Sequence, residues 1–334
     1  MKKLINDPNL VVEDMVQGMV TAHPEYLKKS EKGNILIRSD APVRGKVALV
    51  SGGGSGHEPA HAGYVGKGML SAAVLGPVFT SPTPDQIYEA IKEVDGGRGV
   101  LLIVKNYSGD VMNFDMAKDM ADMDGIKVDS VIVNDDVAVE NSTFTAGRRG
   151  IAGTVFVHKI SGAKAQQGAS LEEVKKVAEK TIANVRSMGM ALTPCIVPAA
   201  GNPNFTLKED EVEIGIGIHG EPGTHREKIK SADDIAEELL NKILEDMTVE
   251  SEEEVAVMVN GMAGTPLMEL YIVNKKVNEI LTEKGIRIHK TFVGEYMTSL
   301  EMAGCSITLL KLDEELKELL DEKSDTLGFK VMNI

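Results

Sequence analysis

The first half of the chain alternates short apolar runs with stretches of helical spacing. VALV at 47–50, GVLLIVK at 99–105 and VDSVIVN at 128–134 are short and mainly apolar. They lead into SGGGSGHEP, NYSGD and Asp135-Asp136 respectively. Runs of this length between helices suit strands buried on both faces, as in a parallel sheet. Val11 to Val20 and Met112 to Met123 carry helical periodicity. The expectation is an α/β fold of two domains, the first a doubly wound, mainly parallel sheet flanked by helices. Residues 1–40 otherwise read as an irregular or helical lead-in.

Ser170-Leu171-Glu172-Glu173 is a capping box, and the apolar spacing from Leu171 through Val185 to Met188 extends a helix towards Pro194. The domain boundary is placed here, giving domains 1–188 and 189–334. The second half changes rhythm. CIVPAAG (195–201), VEIGIGIHG (212–220), the start of VAVMVNGMAGTP (255–266), IRIHKTFVG (286–294) and SITLLKL (306–312) read as strands. Helices are expected at 231–244, 267–281 and 314–322. This is an α/β layer with a mixed sheet.

Charge narrows the partners. A formal net charge of −15 disfavours nucleic acid and anionic membranes, both of which need a basic surface. Cys195 and Cys305 lie in apolar runs and read as buried thiols of a reducing compartment. The start MKKLINDPNL is not followed by an apolar stretch of signal length, so a cytoplasmic protein is expected.

Three segments carry candidate chemistry. Ser51-Gly52-Gly53-Gly54-Ser55-Gly56-His57-Glu58-Pro59 follows a strand, where glycines let backbone N–H groups approach a polar ligand. It is neither a Walker loop nor a dinucleotide fingerprint, and no GKS or GKT occurs in the chain. His57 to His61 matches H-E-x-x-H. That motif needs both histidines inside an established helix, whereas Pro59 suits only a first turn, so no metal site is expected. His61 reads as a helix-face residue with a local hydrogen bond. Lys105, Asn106 and Asp110 follow the second buried strand. Asp110 could serve as a general base or could simply cap the next helix. His219 lies in GIGIHGEPG with Glu221 nearby, and from pattern alone a structural histidine and a functional one are equally open.

Taken together these segments resemble the dihydroxyacetone kinase substrate-binding family. SGGGSGHEPAH, FTSPTPDQ (79–86), VKNYSGDVMNF (104–114), NDDVAVE (134–140), GRRGIAGT (147–154), GIGIHGEPG (215–223) and NGMAGTP (260–266) stand in that family's order over nearly the whole chain. The resemblance implies that His219 bonds covalently to the ketone carbon of dihydroxyacetone as a hemiaminal. It implies that Asp110 and His57 handle the substrate hydroxyl, Asp110 as base and His57 orienting, with the reverse division open. Gly54, Ser55, Gly56 and Lys105 are implied as further substrate contacts.

The family has a fused layout, with an ATP-binding domain following, and a split bacterial one. Ending at Ile334, this chain resembles the separate subunit. No cofactor is then expected on it. ADP or ATP and Mg²⁺ would sit on a nucleotide-binding partner subunit, itself recharged through the phosphoenolpyruvate phosphotransferase system, and a homodimer is implied. Two other functions remain: a dihydroxyacetone-sensing paralogue acting as transcriptional co-activator, and a lipid-binding protein of related architecture, which would have no use for this histidine set.

Overall fold

A computed structural model of the chain describes residues 2–140 and 145–332. Helix α1 (Val11–Ala22) leads into strands β1 (Leu27–Lys29) and β2 (Ile35–Arg38). The lead-in expected to be irregular or helical thus also supplies sheet edge. Then follow β3 (Ala48–Ser55), β4 (Ala72–Val78), α2 (Pro84–Val94), β5 (Val100–Lys105), α3 (Ser108–Met123) and β6 (Val128–Val133). The first sheet has the order β1-β2-β4-β3-β5-β6, with β4, β3, β5 and β6 parallel. Both faces are covered. Val50, Leu102 and Val104 pack with Ile87, Ile91 and Phe114 of α2 and α3. Leu49, Leu101 and Ile103 face the other way, into a core shared with α1, α4 (Thr154–Gln166) and α5 (Leu171–Ala183). Alternation along one strand therefore feeds two helix layers.

The chain steps outward from β3 in both directions, to β4 on one side and β5 on the other. Such a point of reversal opens a crevice at the carboxyl ends of the strands. The glycine segment and the Lys105–Asp110 segment both end there.

The second sheet has the order β11-β10-β12-β7-β8-β9, formed by β7 (Val185–Ala191), β8 (Glu211–Ile214), β9 (His225–Lys228), β10 (Glu254–Gly261), β11 (Arg287–Glu295) and β12 (Gly304–Leu312). Only β10–β11 is parallel, so the sheet is mixed as expected. Helices α6 (Ala232–Asp246) and α7 (Leu267–Glu283) cover one face. Ala256, Met258 and Leu310 on the other face join the core of the first sheet. Helix α8 (Glu314–Asp321) and the hairpin β13 (Ser324–Asp325) with β14 (Lys330–Val331) return to the first half, where Asp325 bridges to Lys67.

Three expectations fail here for physical reasons. The strand read over 212–220 ends at Ile214, where Gly215, at φ +77°, turns the chain out of the sheet. The helix predicted to run past Val185 stops at Ala183, and 185–191 is a strand between β12 and β8. Val185 and Met188 fit both periods, and pairing with β12 decides between them. The segment 195–201 is not a strand: Pro194 and Pro198 lack ladder donors, and one isolated bridge, Ile196 to Pro203, is all that forms.

Candidate active site

The glycine segment expected to be a loop is itself strand, the end of β3. Its glycines admit neighbours that a side chain would displace. A Cβ on Gly53, at φ +151°, would lie 2.6 Å from Lys105 Nζ, and one on Gly54 would meet the Phe79–Thr80 backbone at about 2.5 Å. Ser55 is buried and donates its hydroxyl to the Gly76 carbonyl at 2.8 Å.

After Gly56 the chain does not open a helix at Pro59; a short 3-10 turn, Ala62–Tyr64, comes later. Instead, residues 56–58 are tied across the molecule. Leu300 N donates to Gly56 O at 2.7 Å and Thr298 N to His57 O at 3.2 Å. The His57 Nδ1–H donates to the Thr298 carbonyl at 2.7 Å. A carbonyl can only accept, so this contact fixes the tautomer and leaves His57 Nε2 as a bare lone pair. That nitrogen is buried and has no protein partner. Burial, with the neighbouring His219 and Lys105 adding to it, pulls His57 well below the usual histidine range, so the ring is neutral.

His219 sits in the turn after β8. Its ring meets His57 at 4.8 Å, Phe79 at 5.2 Å and Tyr107 at 4.7 Å between centroids, each edge-on, while Phe79 stacks on His57 at 5.1 Å. Glu221 Oε1 accepts the His219 Nδ1–H at 2.7 Å, and Oε2 accepts the His219 backbone N–H at 2.9 Å. Burial opposes the Glu221 charge, but His219 and its hydrogen bonds hold the carboxyl at about 2. The carboxylate thus orients the ring and leaves Nε2 as the nitrogen with the lone pair. Arg149 braces this turn. Its guanidinium is buried, donating to Asp136 Oδ2 (2.7 Å), Gly215 O (2.7 Å) and Pro222 O (3.3 Å).

Asp110 lies in the first turn of α3, where the helix dipole favours a carboxylate. It is buried, accepts from the Ser81 hydroxyl, and stands 3.7 Å from the buried Lys105 Nζ. Lys105 Nζ is 5.9 Å from the centroid of the Tyr107 ring, the same ring that meets His219 edge-on. Burial pulls Lys105 below the usual lysine range, and Asp110 opposes the shift.

The structure therefore brings Gly54, Gly56, His57, Lys105, Asp110 and His219 to one crevice, with Ser55 behind it. Phe79, Ser81 and Thr298 were not singled out individually by sequence reasoning. Phe79 and Ser81 lie in the FTSPTPDQ segment, whereas nothing in the pattern around Thr298 marks it. His61 does not lie on a helix face: it is buried, 3.1 Å from Lys105 Nζ and 3.0 Å from His158 Nε2. His57 and His61 thus point to different partners, unlike the pair of a zinc-protease helix. Among the described residues, His225, Glu227 and Glu238 have ligand atoms close together, but the Lys230 ammonium already pairs both carboxylates. No helix of the described residues is long and apolar enough to cross a membrane.

The Dak1 domain model matches residues 17–328. The chain is 58% identical to the dihydroxyacetone-binding subunit of the phosphotransferase-system-dependent dihydroxyacetone kinase 1 of Listeria innocua, covering 98% of this chain and 100% of that one. It is 45% identical to the corresponding phosphoenolpyruvate-dependent subunit of Escherichia coli, over 96% and 97%. Among solved structures, a dihydroxyacetone kinase operon co-activator superposes with a TM-score of 0.88 at 38% identity, over 95% and 97%. The dihydroxyacetone kinase of C. freundii superposes at 0.91 and 34%, over 99% of this chain and 61% of that longer one. The chain belongs to the Dak1 family.

Proposed function

We propose that this chain is the dihydroxyacetone-binding subunit of a phosphotransferase-system-dependent dihydroxyacetone kinase. It holds the ketone on His219 and presents a hydroxyl to a phosphoryl donor carried by another subunit. The observation that carries this is the His219–Glu221 pair, an imidazole with Nδ1–H engaged and Nε2 free in a ring-walled crevice beside Asp110 and His57. Nε2 adds to the ketone carbon, and the carbonyl π pair moves to oxygen, which takes up a solvent proton. The positive charge left on the ring is offset by the Glu221 carboxylate. A triose offers few atoms for non-covalent binding, so a reversible covalent bond supplies both affinity and orientation. It also selects carbonyl compounds over plain polyols.

The hydroxyl then lies among acceptors. Its single proton is donated to the bare His57 Nε2, which orients this end, until Asp110 takes it as the phosphoryl group arrives. Nucleotide and Mg²⁺ belong to the partner subunit, which supplies the phosphoryl group. Helix α7 exposes Leu267, Met268, Tyr271 and Ile272 beside the open edge of β11, a surface suited to the homodimer.

The test is carbon-13 NMR of carbonyl-labelled dihydroxyacetone with the purified chain. The labelled carbon moves from the ketone to the tetrahedral region with wild type and stays at the ketone position with His219→Ala. An unshifted carbon at saturating wild-type protein removes the covalent reading. The co-activator likeness raises a second reading, a ketone sensor. It predicts capture of a transcription regulator and no turnover when the nucleotide-carrying subunit is supplied.

A further inference from the structure

Leading away from Lys105 are two buried histidines to which the proposed reaction assigns no role. Lys105, His61 and His158 are fully or almost fully buried. Lys105 Nζ is 3.1 Å from His61 Nε2, and His61 Nδ1 is 3.0 Å from His158 Nε2. His61 and His158 meet edge-on at 5.2 Å. The string ends at His158 Nδ1, which has no protein partner. It is a closed run of three basic groups rather than a path to solvent.

The direction of its hydrogen bonds is readable. Ser51 Oγ lies 3.4 Å from His61 Nδ1 and donates its own proton to the Ile103 carbonyl at 2.6 Å. Towards His61 it therefore presents lone pairs. A bare Nδ1 would face the Ser51 oxygen without a proton between them, whereas an Nδ1–H suits both Ser51 Oγ and His158 Nε2. With the proton on Nδ1, His61 Nε2 is an acceptor, and an acceptor at 3.1 Å suits the Lys105 ammonium. Both histidines are neutral: burial pulls His61 well below the usual range and His158 down to about 3, with Lys105 acting in the same sense.

We propose that His61 and His158 are positioning residues for the acceptor base, holding the Lys105 ammonium in a fixed direction beside Asp110 without touching substrate. Asp110 is 3.7 Å from Nζ, too far for a good direct hydrogen bond, so the ammonium needs another acceptor in the dry interior. His61 is that acceptor. The groups facing Lys105 are Asp110 from α3, His61 from the segment after β3, and Tyr107 from the turn before α3, with Glu221 acting at longer range. Of these, His61 is the neutral acceptor at hydrogen-bonding distance. This assignment rests on the proposed role of Asp110 as base.

Two measurements test it. Nitrogen-15 NMR of the histidine rings in the wild-type chain should show His61 protonated at Nδ1. A ring protonated at Nε2 overturns the proposal, whatever the chain's activity. With the nucleotide-carrying subunit and donor supplied, His61→Leu should lower kcat at least roughly tenfold while leaving the tetrahedral carbon signal on His219. His61→Gln, which returns an acceptor oxygen near the Nε2 position, should recover most of kcat. His158→Phe, which removes the next acceptor at similar size, should lower kcat in the same sense by less. A kcat within about twofold of wild type in His61→Leu, or no recovery in His61→Gln, sinks the proposal. A wild-type chain that forms no adduct would instead count against the proposed function and leave the tautomer result standing.

Discussion

Replacing Glu221 by Gln changes one oxygen of the side chain to nitrogen and removes its charge. Glu221 accepts two N–H groups from His219, one from the ring and one from the backbone. Gln has one acceptor oxygen and one amide NH2, so in either flip one His219 donor faces another donor. The site is buried, and a hydrogen bond to a charged group there is worth about 1.5–3 kcal/mol. The adduct, with its ring charge, feels that loss more than the free imidazole does. The equilibrium constant for adduct formation should therefore fall roughly 10- to 150-fold in Glu221→Gln. The assay is the tetrahedral carbon-13 signal of labelled dihydroxyacetone, titrated against the chain, with urea denaturation confirming that the variant is folded. A folded variant with a midpoint within about twofold of wild type would refute the claim that this carboxylate supports the bond-forming nitrogen.

Asp110→Asn should keep the adduct signal and lose at least roughly a hundredfold in kcat with the partner subunit present, as expected for removal of a general base; normal turnover would take that role from Asp110. Arg149→Met leaves the buried Asp136 carboxylate and two carbonyls without their donor, and should cost about 3–5 kcal/mol in urea unfolding. A loss under about 1 kcal/mol would show that the brace is dispensable. Lys159 is buried, donates to the Leu319 carbonyl at 2.7 Å, and is pushed by burial from 10.5 down to about 8. Its folded value lies below its unfolded one, so the charged form penalises folding below about pH 8, and stability recovers as pH rises from about 8 towards 10.5. Lys159→Met should abolish this residue's share of that rise, on the order of 3 kcal/mol; a wild-type stability profile with no such difference from the variant would contradict it.

The parallel first sheet was legible because its strands are buried on both faces and read as unbroken apolar runs. Val185 to Ala191 was not, because Val185 and Met188 suit a helix stripe as well as a strand, and only pairing with β12 decides. The glycine segment was correctly placed at a strand end, but its being strand depended on what approaches it, Lys105 and Phe79, neither of them local. Among site residues, Asp110 and His219 stood out through flanking glycines and strand ends. Thr298, which sets the His57 tautomer, is 241 residues away and acts through a backbone carbonyl, so no side-chain pattern could mark it. His61 was misjudged because Pro59 suggested a helix start, whereas its partners Lys105 and His158 come from β5 and α4.

The return of the final segment to the first half has a consequence for biosynthesis. Leu316, Leu319, Leu320, Phe329 and Val331 share one core with Val12, Leu36 and Phe156. A chain emerging from the ribosome can pair β3 with β4 and β5 early, yet the layer around α4 still lacks these residues. N-terminal parts generally fold first during synthesis. Here the first half stays exposed along that flank until residues 316–331 are made, so its core closes only after the strands of both large sheets have been synthesised.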